Sequence, residues 1–185
     1  MGKSTTSEML KRMSIPVYDA DKCVHDLFKK GGEATTKIQK IFPSAVVAGV
    51  INREALGELV FGKPKQLKIL ESILHPLVKA KRQQFLSLHR RRKTKRVVLD
   101  IPLLFETKSE NDCDYILVAS APWFLQRRRA MLRPGMNSRK LQAILQRQTP
   151  DYEKRKRASM IVPTGLGRSY ALKKLRRWIA TIAKN

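Results

Sequence analysis

Acidic residues are scarce in this chain. Its 185 residues hold 15 Asp and Glu against 39 Lys and Arg, a formal charge of +24. Cysteine is scarcer still. Cys23 and Cys113 are the only two, far apart and in no metal-type spacing, which excludes a disulfide scaffold and a cysteine zinc site. No apolar run approaches the ~18 residues of a spanning helix. Met1-Gly2-Lys3-Ser4 lacks the charged and apolar regions of a secretory signal. Internal repeats and Gly/Ser linkers are missing too. These lacks leave a reduced, cytoplasmic protein with no membrane segment as the expectation.

Enough apolar material remains for a core. Hydrophobic residues make up 42% of the chain, and the length suits one α/β domain with a small attached subdomain. The positive excess favours polyanions, whether nucleotides, other phosphate-bearing small molecules or nucleic acid. A basic solvated surface explains the same excess. Its densest run, His89-Arg90-Arg91-Arg92-Lys93-Thr94-Lys95-Arg96, reads as an exposed connection.

Helix and strand patterns alternate. Residues 4–13 read as a helix behind Gly2-Lys3-Ser4, followed by a short strand at Ile15-Pro16-Val17-Tyr18. Helices are expected at 21–30 and 34–42, with Gly31-Gly32 breaking them. Asn52 is placed to cap a helix over 53–61, closed by Gly62 and Pro64. Leu67, Leu70, Ile73, Leu74, Leu77 and Val78 recur at helical spacing between Lys65 and about Arg90, and Pro76 should kink or split that helix. Val97 to Ile101 and Tyr115 to Ala119 are short apolar runs, as in strands buried on both faces. Further helices are expected at about 122–132, 138–148 and 151–158, then a weak strand at Ile161-Val162. A last helix carries Leu172, Leu175, Ile179 and Ile182 on one face. The pattern predicts a doubly wound α/β fold with a parallel sheet.

Gly2-Lys3-Ser4-Thr5 matches the end of G-x-x-x-x-G-K-[ST]. In that loop, backbone N–H groups cradle phosphates, Lys neutralises the β/γ oxygens and Ser ligates Mg²⁺. The motif's first Gly would fall about five residues before Gly2, ahead of the first residue. Asp19-Ala20-Asp21 ends a strand, the edge where open α/β sheets bind ligands. A carboxylate there can accept a hydroxyl proton or hold a metal's water shell, and it can equally cap the next helix. His75 lies amid apolar residues, where a packed or capping histidine is the commoner case. Pro102-Leu103-Leu104-Phe105-Glu106 forms an apolar, aromatic turn suited to a wall against a flat ligand, or to a plain core loop. Arg129 and Arg133, four apart, share a helix face and could clamp a phosphate if the segment closes as a lid. A solvated basic face is the alternative.

In order and spacing these pieces resemble the dephospho-CoA kinase family. The residues that carry it are Gly2-Lys3-Ser4-Thr5, Ile15-Pro16-Val17 with Asp19-Ala20-Asp21, Leu74-His75-Pro76-Leu77-Val78, Ile101 to Glu106, Gln126 with Arg129 and Arg133, and Gln148. The resemblance covers essentially the whole chain. It implies a P-loop nucleoside-triphosphate hydrolase-like fold, with a core at about 1–21 and 97–185. A helical CoA-side subdomain would occupy about 22–96 and a lid about 133–150. It also implies transfer of the ATP γ-phosphate to the 3′-hydroxyl of dephospho-CoA, with Mg²⁺ as cofactor, the last step of CoA synthesis. On that footing Gly2, Lys3, Ser4 and Thr5 bind ATP, and Ser4 ligates the metal. Asp21 is the base, assisted by Asp19. His75 and Pro102, Leu103, Leu104, Phe105 and Glu106 line the dephospho-CoA side. Arg129 and Arg133 stabilise the moving phosphoryl group.

The sequence departs from the family in three places. The opening strand and the first half of the phosphate loop are missing, so the natural protein is expected to extend about a dozen residues upstream. Ala158-Ser159 stands where the family shows Ala-Asp, and Pro163-Thr164 where it shows Asp or Asn. The last two fall at the nucleotide-base end. Alternatives are an inactive remnant of such a kinase, another P-loop nucleoside or nucleotide kinase, or a basic nucleic-acid-binding derivative. Zinc spacing and aromatic RNA-binding motifs, which would favour the last, are not present.

Overall fold

The computed structural model describes residues 2–182. The chain forms two compact units. One runs to Ile15 and resumes at Leu103, and the other is Pro16–Pro102.

The Pro16–Pro102 unit holds a parallel strand pair and a helical cluster. β1 (Val17–Asp19) pairs with β4 (Val98–Asp100) in the register Val17 to Val98 and Asp19 to Asp100. The run around β4 is less buried than its apolar pattern implies: Val98 and Leu99 are half-buried, and Asp100 is the buried residue. α2 (Ala20–Leu27) starts one residue earlier than expected, because the Asp19 side chain accepts from the Lys22 N–H. α3 (Thr35–Ile41) follows, then a hairpin of β2 (Val46–Val47) and β3 (Val50–Ile51) that the sequence pattern did not lead us to expect. α4 (Arg53–Val60) has the expected cap, Asn52, whose side chain accepts from the Glu54 and Ala55 N–H groups. Pro64 opens α5 (Pro64–Arg91) at its first turn, where a missing N–H costs nothing.

α5 runs unbroken through Pro76. The expected split does not occur. A proline inside a helix removes one hydrogen bond, while packing along the helix is retained on both sides. Leu70 and Ile73 precede Pro76 in the apolar cluster, and Leu77 and Val78 follow it. That cluster also contains Leu27, Phe28, Ile38, Phe42, Ile51 and Leu56. A fully buried side chain of this kind contributes about 1.5–3 kcal/mol, and Leu70 and Ile73 before Pro76 with the partly buried Leu77 and Val78 after it offset the lost bond. Tyr18 ties β1 to α5, donating its hydroxyl to the Val78 carbonyl at 3.0 Å.

The other unit is built on β5 (Leu117–Ser120) and β6 (Met160–Pro163), also parallel, in register from Leu117 with Met160 to Ser120 with Pro163. α1 (Lys3–Arg12) buries Met9 and Leu10 and packs against β5 and against α9 (Arg168–Thr181). It ends in a left-handed Ser14: the Ser14 N–H donates to Lys11 O and the Ile15 N–H to Leu10 O, the Schellman arrangement usually reserved for glycine. α6 (Trp123–Met131), α7 (Ser138–Arg147, capped by Asn137) and α8 (Asp151–Lys156) complete it. Leu175 and Ala171 are the buried residues of α9, while Leu172 and Ile179 are only half-buried. The parallel strands and flanking helices match the expected fold class. Among the described residues the parallel strands occur as two separate pairs. No helix there is long and apolar enough to cross a membrane.

Candidate active site

The residues expected to bind phosphate head α1. Gly2 is its N-cap, with φ +100°, a conformation that glycine adopts without penalty. Its carbonyl accepts from the Thr6 N–H at 2.9 Å and the Thr6 hydroxyl at 3.0 Å. Lys3 and Ser4 form the first turn, with Ser4 exposed and Lys3 half-buried. The first N–H groups of a helix have no partner within it, and the aligned peptides put partial positive charge there. An anion is therefore favoured where Lys3 adds its ammonium.

Gly2 lies hard against Thr164. A Cβ on Gly2 would fall 2.5 Å from the Thr164 Cγ2 and 2.8 Å from its Oγ1. Thr164 itself is held on several sides. Its N–H and hydroxyl both donate to Ser120 O, at 2.7 and 3.0 Å. Arg129 donates to the Thr164 carbonyl at 2.9 Å and to its hydroxyl at 3.3 Å. Ser120, at the end of β5, donates its hydroxyl to Asp151 at 2.7 Å.

Arg129 thus commits two of its five N–H donors to this loop. Arg133, expected on the same helix face, is past the end of α6. Leu132 caps that helix, and the Arg133 N–H turns back to Ala130 O ahead of Pro134 and Gly135. The spacing argument fails there because Pro and Gly stop the helix. Arg133 is exposed.

The turn from Pro102 to Glu106 divides in character. Pro102 and Leu103 are exposed and Leu104 half-buried, whereas Phe105 is buried under the Arg157 guanidinium, 4.5 Å from its ring centre. Arg157 also pairs with Glu110. Glu106 is mostly buried, its side chain 15% exposed, and Oε1 accepts from the Thr149 N–H at 2.7 Å and pairs with Lys154 at 3.2 Å. Burial pushes this carboxyl up. The backbone N–H groups of Glu106 and Thr149, with the Lys154 ammonium, outweigh that and hold it below the usual range. Phe105 and Glu106 serve the packing of their own unit first, which their sequence neighbours did not reveal.

The carboxylates belong to the other unit. Asp19 ends β1 and is register partner to Asp100 at the end of β4. Asp21 is exposed in the first turn of α2. His75 is exposed on α5, so the packed-histidine alternative does not hold. Ser159 acts locally, its hydroxyl accepting from the Ile116 N–H at 3.0 Å and so pinning the start of β6 beside β5. Thr164, Ser120, Asp151 and Asp100 were not foreseen as site residues. Only the first had a signal, as a departure from the family pattern.

A left-handed glycine with Lys and Ser at a helix start, in a chain of parallel strands and flanking helices, fits an α/β phosphotransferase of the P-loop class. Comparison makes the assignment specific. The dephospho-CoA kinase family model matches residues 1–165. A dephospho-CoA kinase from Paramagnetospirillum magneticum is 52% identical over 155 residues, 84% of this chain and 73% of that protein. One from Rhodospirillum rubrum is 46% identical over 177 residues, 95% of this chain and 84% of that one. Among solved structures, a Thermus thermophilus protein aligns with a TM-score of 0.80 at 32% identity, covering 97% of this chain and 91% of the other. The dephospho-CoA kinase of Campylobacter jejuni aligns at 0.72 with 27% identity, covering 99% and 92%. The chain belongs to the dephospho-CoA kinase family.

Proposed function

We propose that this chain transfers the γ-phosphate of ATP to the 3′-hydroxyl of dephospho-CoA, giving CoA and ADP in the last step of CoA synthesis. The observation that carries the reading is the left-handed Gly2 heading α1 directly before Lys3 and Ser4, in a chain matched to the family over residues 1–165.

In this reading the α1 N-terminus and Lys3 grip the β/γ oxygens. Asp21 accepts the proton of the ribose hydroxyl as its oxygen attacks phosphorus, with Asp19 assisting, and the proton then passes to water. Arg129 and Arg133 offset charge on the transferring phosphoryl group, and the segment 133–150 acts as the lid. His75 and the turn from Pro102 to Glu106 face dephospho-CoA, with Pro102 and Leu103 offering the exposed apolar surface.

Ser4 is the residue that would ligate Mg²⁺. Among the described residues no group of three or more His, Cys, Asp and Glu is placed to hold a metal alone. Mg²⁺ is a hard ion that keeps several waters and would arrive with the phosphates. When bound, Mg²⁺ neutralises charge on the β and γ oxygens.

The test is direct. The purified chain is given ATP with dephospho-CoA, or with nucleoside monophosphates, and CoA and ADP are quantified. CoA formation dependent on both substrates is expected. Phosphorylation of the monophosphates alone, or no turnover with any acceptor, refutes the proposal.

A further inference from the structure

The contact between Thr164 and Gly2 joins two parts of the chain that are far apart in sequence. One is the turn that presents backbone to phosphate. The other is the loop after β6, where Pro163-Thr164 departs from the family pattern. A turn that cradles an anion works only if its N–H groups are aimed before the ligand arrives, since small displacements of positioning groups are costly in rate.

Gly2 carries no side chain with which to fix itself, and its left-handed backbone has open alternatives. Thr6 holds its carbonyl through N–H and hydroxyl, and the Thr164 side chain stands on the side of the missing Cβ. It fills the place a Gly2 Cβ would take, with Cγ2 the nearest atom at 2.5 Å from that position. This wall is itself anchored. The Thr164 N–H and hydroxyl both bond Ser120 O, Arg129 grips its carbonyl and hydroxyl, and Ser120 is tied to Asp151 at the start of α8. The neighbouring Gly165 is equally close-set, a Cβ there falling 2.9 Å from the Pro122 ring. The loop is therefore a fixed stop, built from β5, β6, α6 and α8 and set against the start of α1.

We infer that Thr164 is a positioning residue for the phosphate-binding turn: its methyl group holds Gly2 in the left-handed conformation that aims the start of α1 at the triphosphate. The inference rests on the ATP-dependent reading above and deepens it. Thr164 touches no reacting atom. It acts through Gly2. A residue serving the nucleotide base instead would affect adenosine and ATP alike, which is what the experiment separates.

Thr164→Ala removes the wall and the hydroxyl. Thr164→Ser removes the methyl alone. Thr164→Val keeps the shape, and the backbone bonds to Ser120 and Arg129 are retained in all three. Binding of ATP, inorganic triphosphate and adenosine is measured for each by calorimetry and by ligand-induced thermal shift. The KM for ATP and kcat are measured alongside melting without ligand.

Thr164→Ala is expected to lose on the order of ten- to a hundredfold in affinity for ATP and inorganic triphosphate, with adenosine unchanged. The Ser variant should lose in the same direction by less, and the Val variant should stay near wild type. Unchanged ATP affinity in both the Ala and the Ser variants overturns the inference, as does equal weakening of adenosine and ATP. Should the Ala variant fail to fold, the Ser and Val variants decide. A wild-type chain that ignores ATP overturns the phosphotransfer reading, and this inference with it.

Discussion

Gly2→Ala is the most informative single substitution, because two separate penalties coincide at one atom. Gly2 sits at φ +100°, and an L-residue held in left-handed backbone costs about 1–2 kcal/mol. The added methyl must also displace the Thr164 side chain, whose Cγ2, Cβ and Oγ1 would lie 2.5, 2.7 and 2.8 Å from it. Thr164 is hydrogen-bonded to Ser120 and Arg129 and cannot step aside cheaply. Overpacking of this kind costs about 1–3 kcal/mol. The sum is about 2–5 kcal/mol for keeping the native turn.

The protein can express that strain in two ways. It can keep the turn and lose stability, or relax the turn and lose ATP affinity, by about thirtyfold to several thousandfold at a factor of ten per 1.4 kcal/mol. Denaturant unfolding and calorimetric ATP titration of the same preparation measure both, and their combined loss should fall in that range. Gly62→Ala is the control. Gly62 also has positive φ, at +74°, but nothing lies within 4 Å of its missing Cβ. It should cost only the backbone part, about 1–2 kcal/mol, with ATP affinity intact. A Gly2→Ala protein with normal stability and normal ATP affinity refutes the reasoning for both penalties at once.

Other consequences are as definite. Lys3→Ala should cut turnover by orders of magnitude with little change in melting temperature, since it removes charge stabilisation and no core packing; near-normal kcat would take Lys3 out of the mechanism. Asp21→Asn should lower kcat strongly while dephospho-CoA affinity holds, read as a KM-against-kcat split. Asp19→Asn should melt near wild type, because Asn also caps helices, whereas Asp19→Ala should lose about 1 kcal/mol. Glu106 has a carboxyl held below its ordinary value of 4.5, so its stabilisation is fully present above that pH and fades as pH falls through the lowered value. Glu106→Gln should therefore reduce stability at neutral pH and flatten the acid limb below about pH 4.5, measured by melting across a pH series.

The local signals in this chain were readable, and the reason is that they act within a few residues. Asn52 caps α4 through N–H groups two and three positions on. Gly2-Lys3-Ser4 opens a helix where expected. The missed hairpin also had a local signal. Ala48 and Gly49 both adopt positive φ between Val46-Val47 and Val50-Ile51, which become β2 and β3, the two-residue turn that suits strand twist. By contrast, Glu106 finds its partners 43 and 48 positions away, at Thr149 and Lys154, and Thr164 meets Ser120 and Gly2 only across long spans of the chain. Nothing in the flanking residues announces such pairings, so the sequence left Glu106 open between a ligand wall and a plain core loop, and Thr164 stood only as a departure from the family pattern.

The scarcity of carboxylates sharpens what remains. Glu8, Asp26, Glu33, Glu106, Glu110 and Glu153 each pair with a lysine or arginine, and those of Glu33, Glu106 and Glu110 join segments far apart in sequence. Asp19 and Asp100 are placed differently, side by side in register at the carboxyl ends of β1 and β4. Asp100 is buried, and Asp19 also caps α2 through the Lys22 N–H. Both stand at the strand edge where open α/β sheets bind ligands, the place the proposed reaction needs an acceptor for the hydroxyl proton.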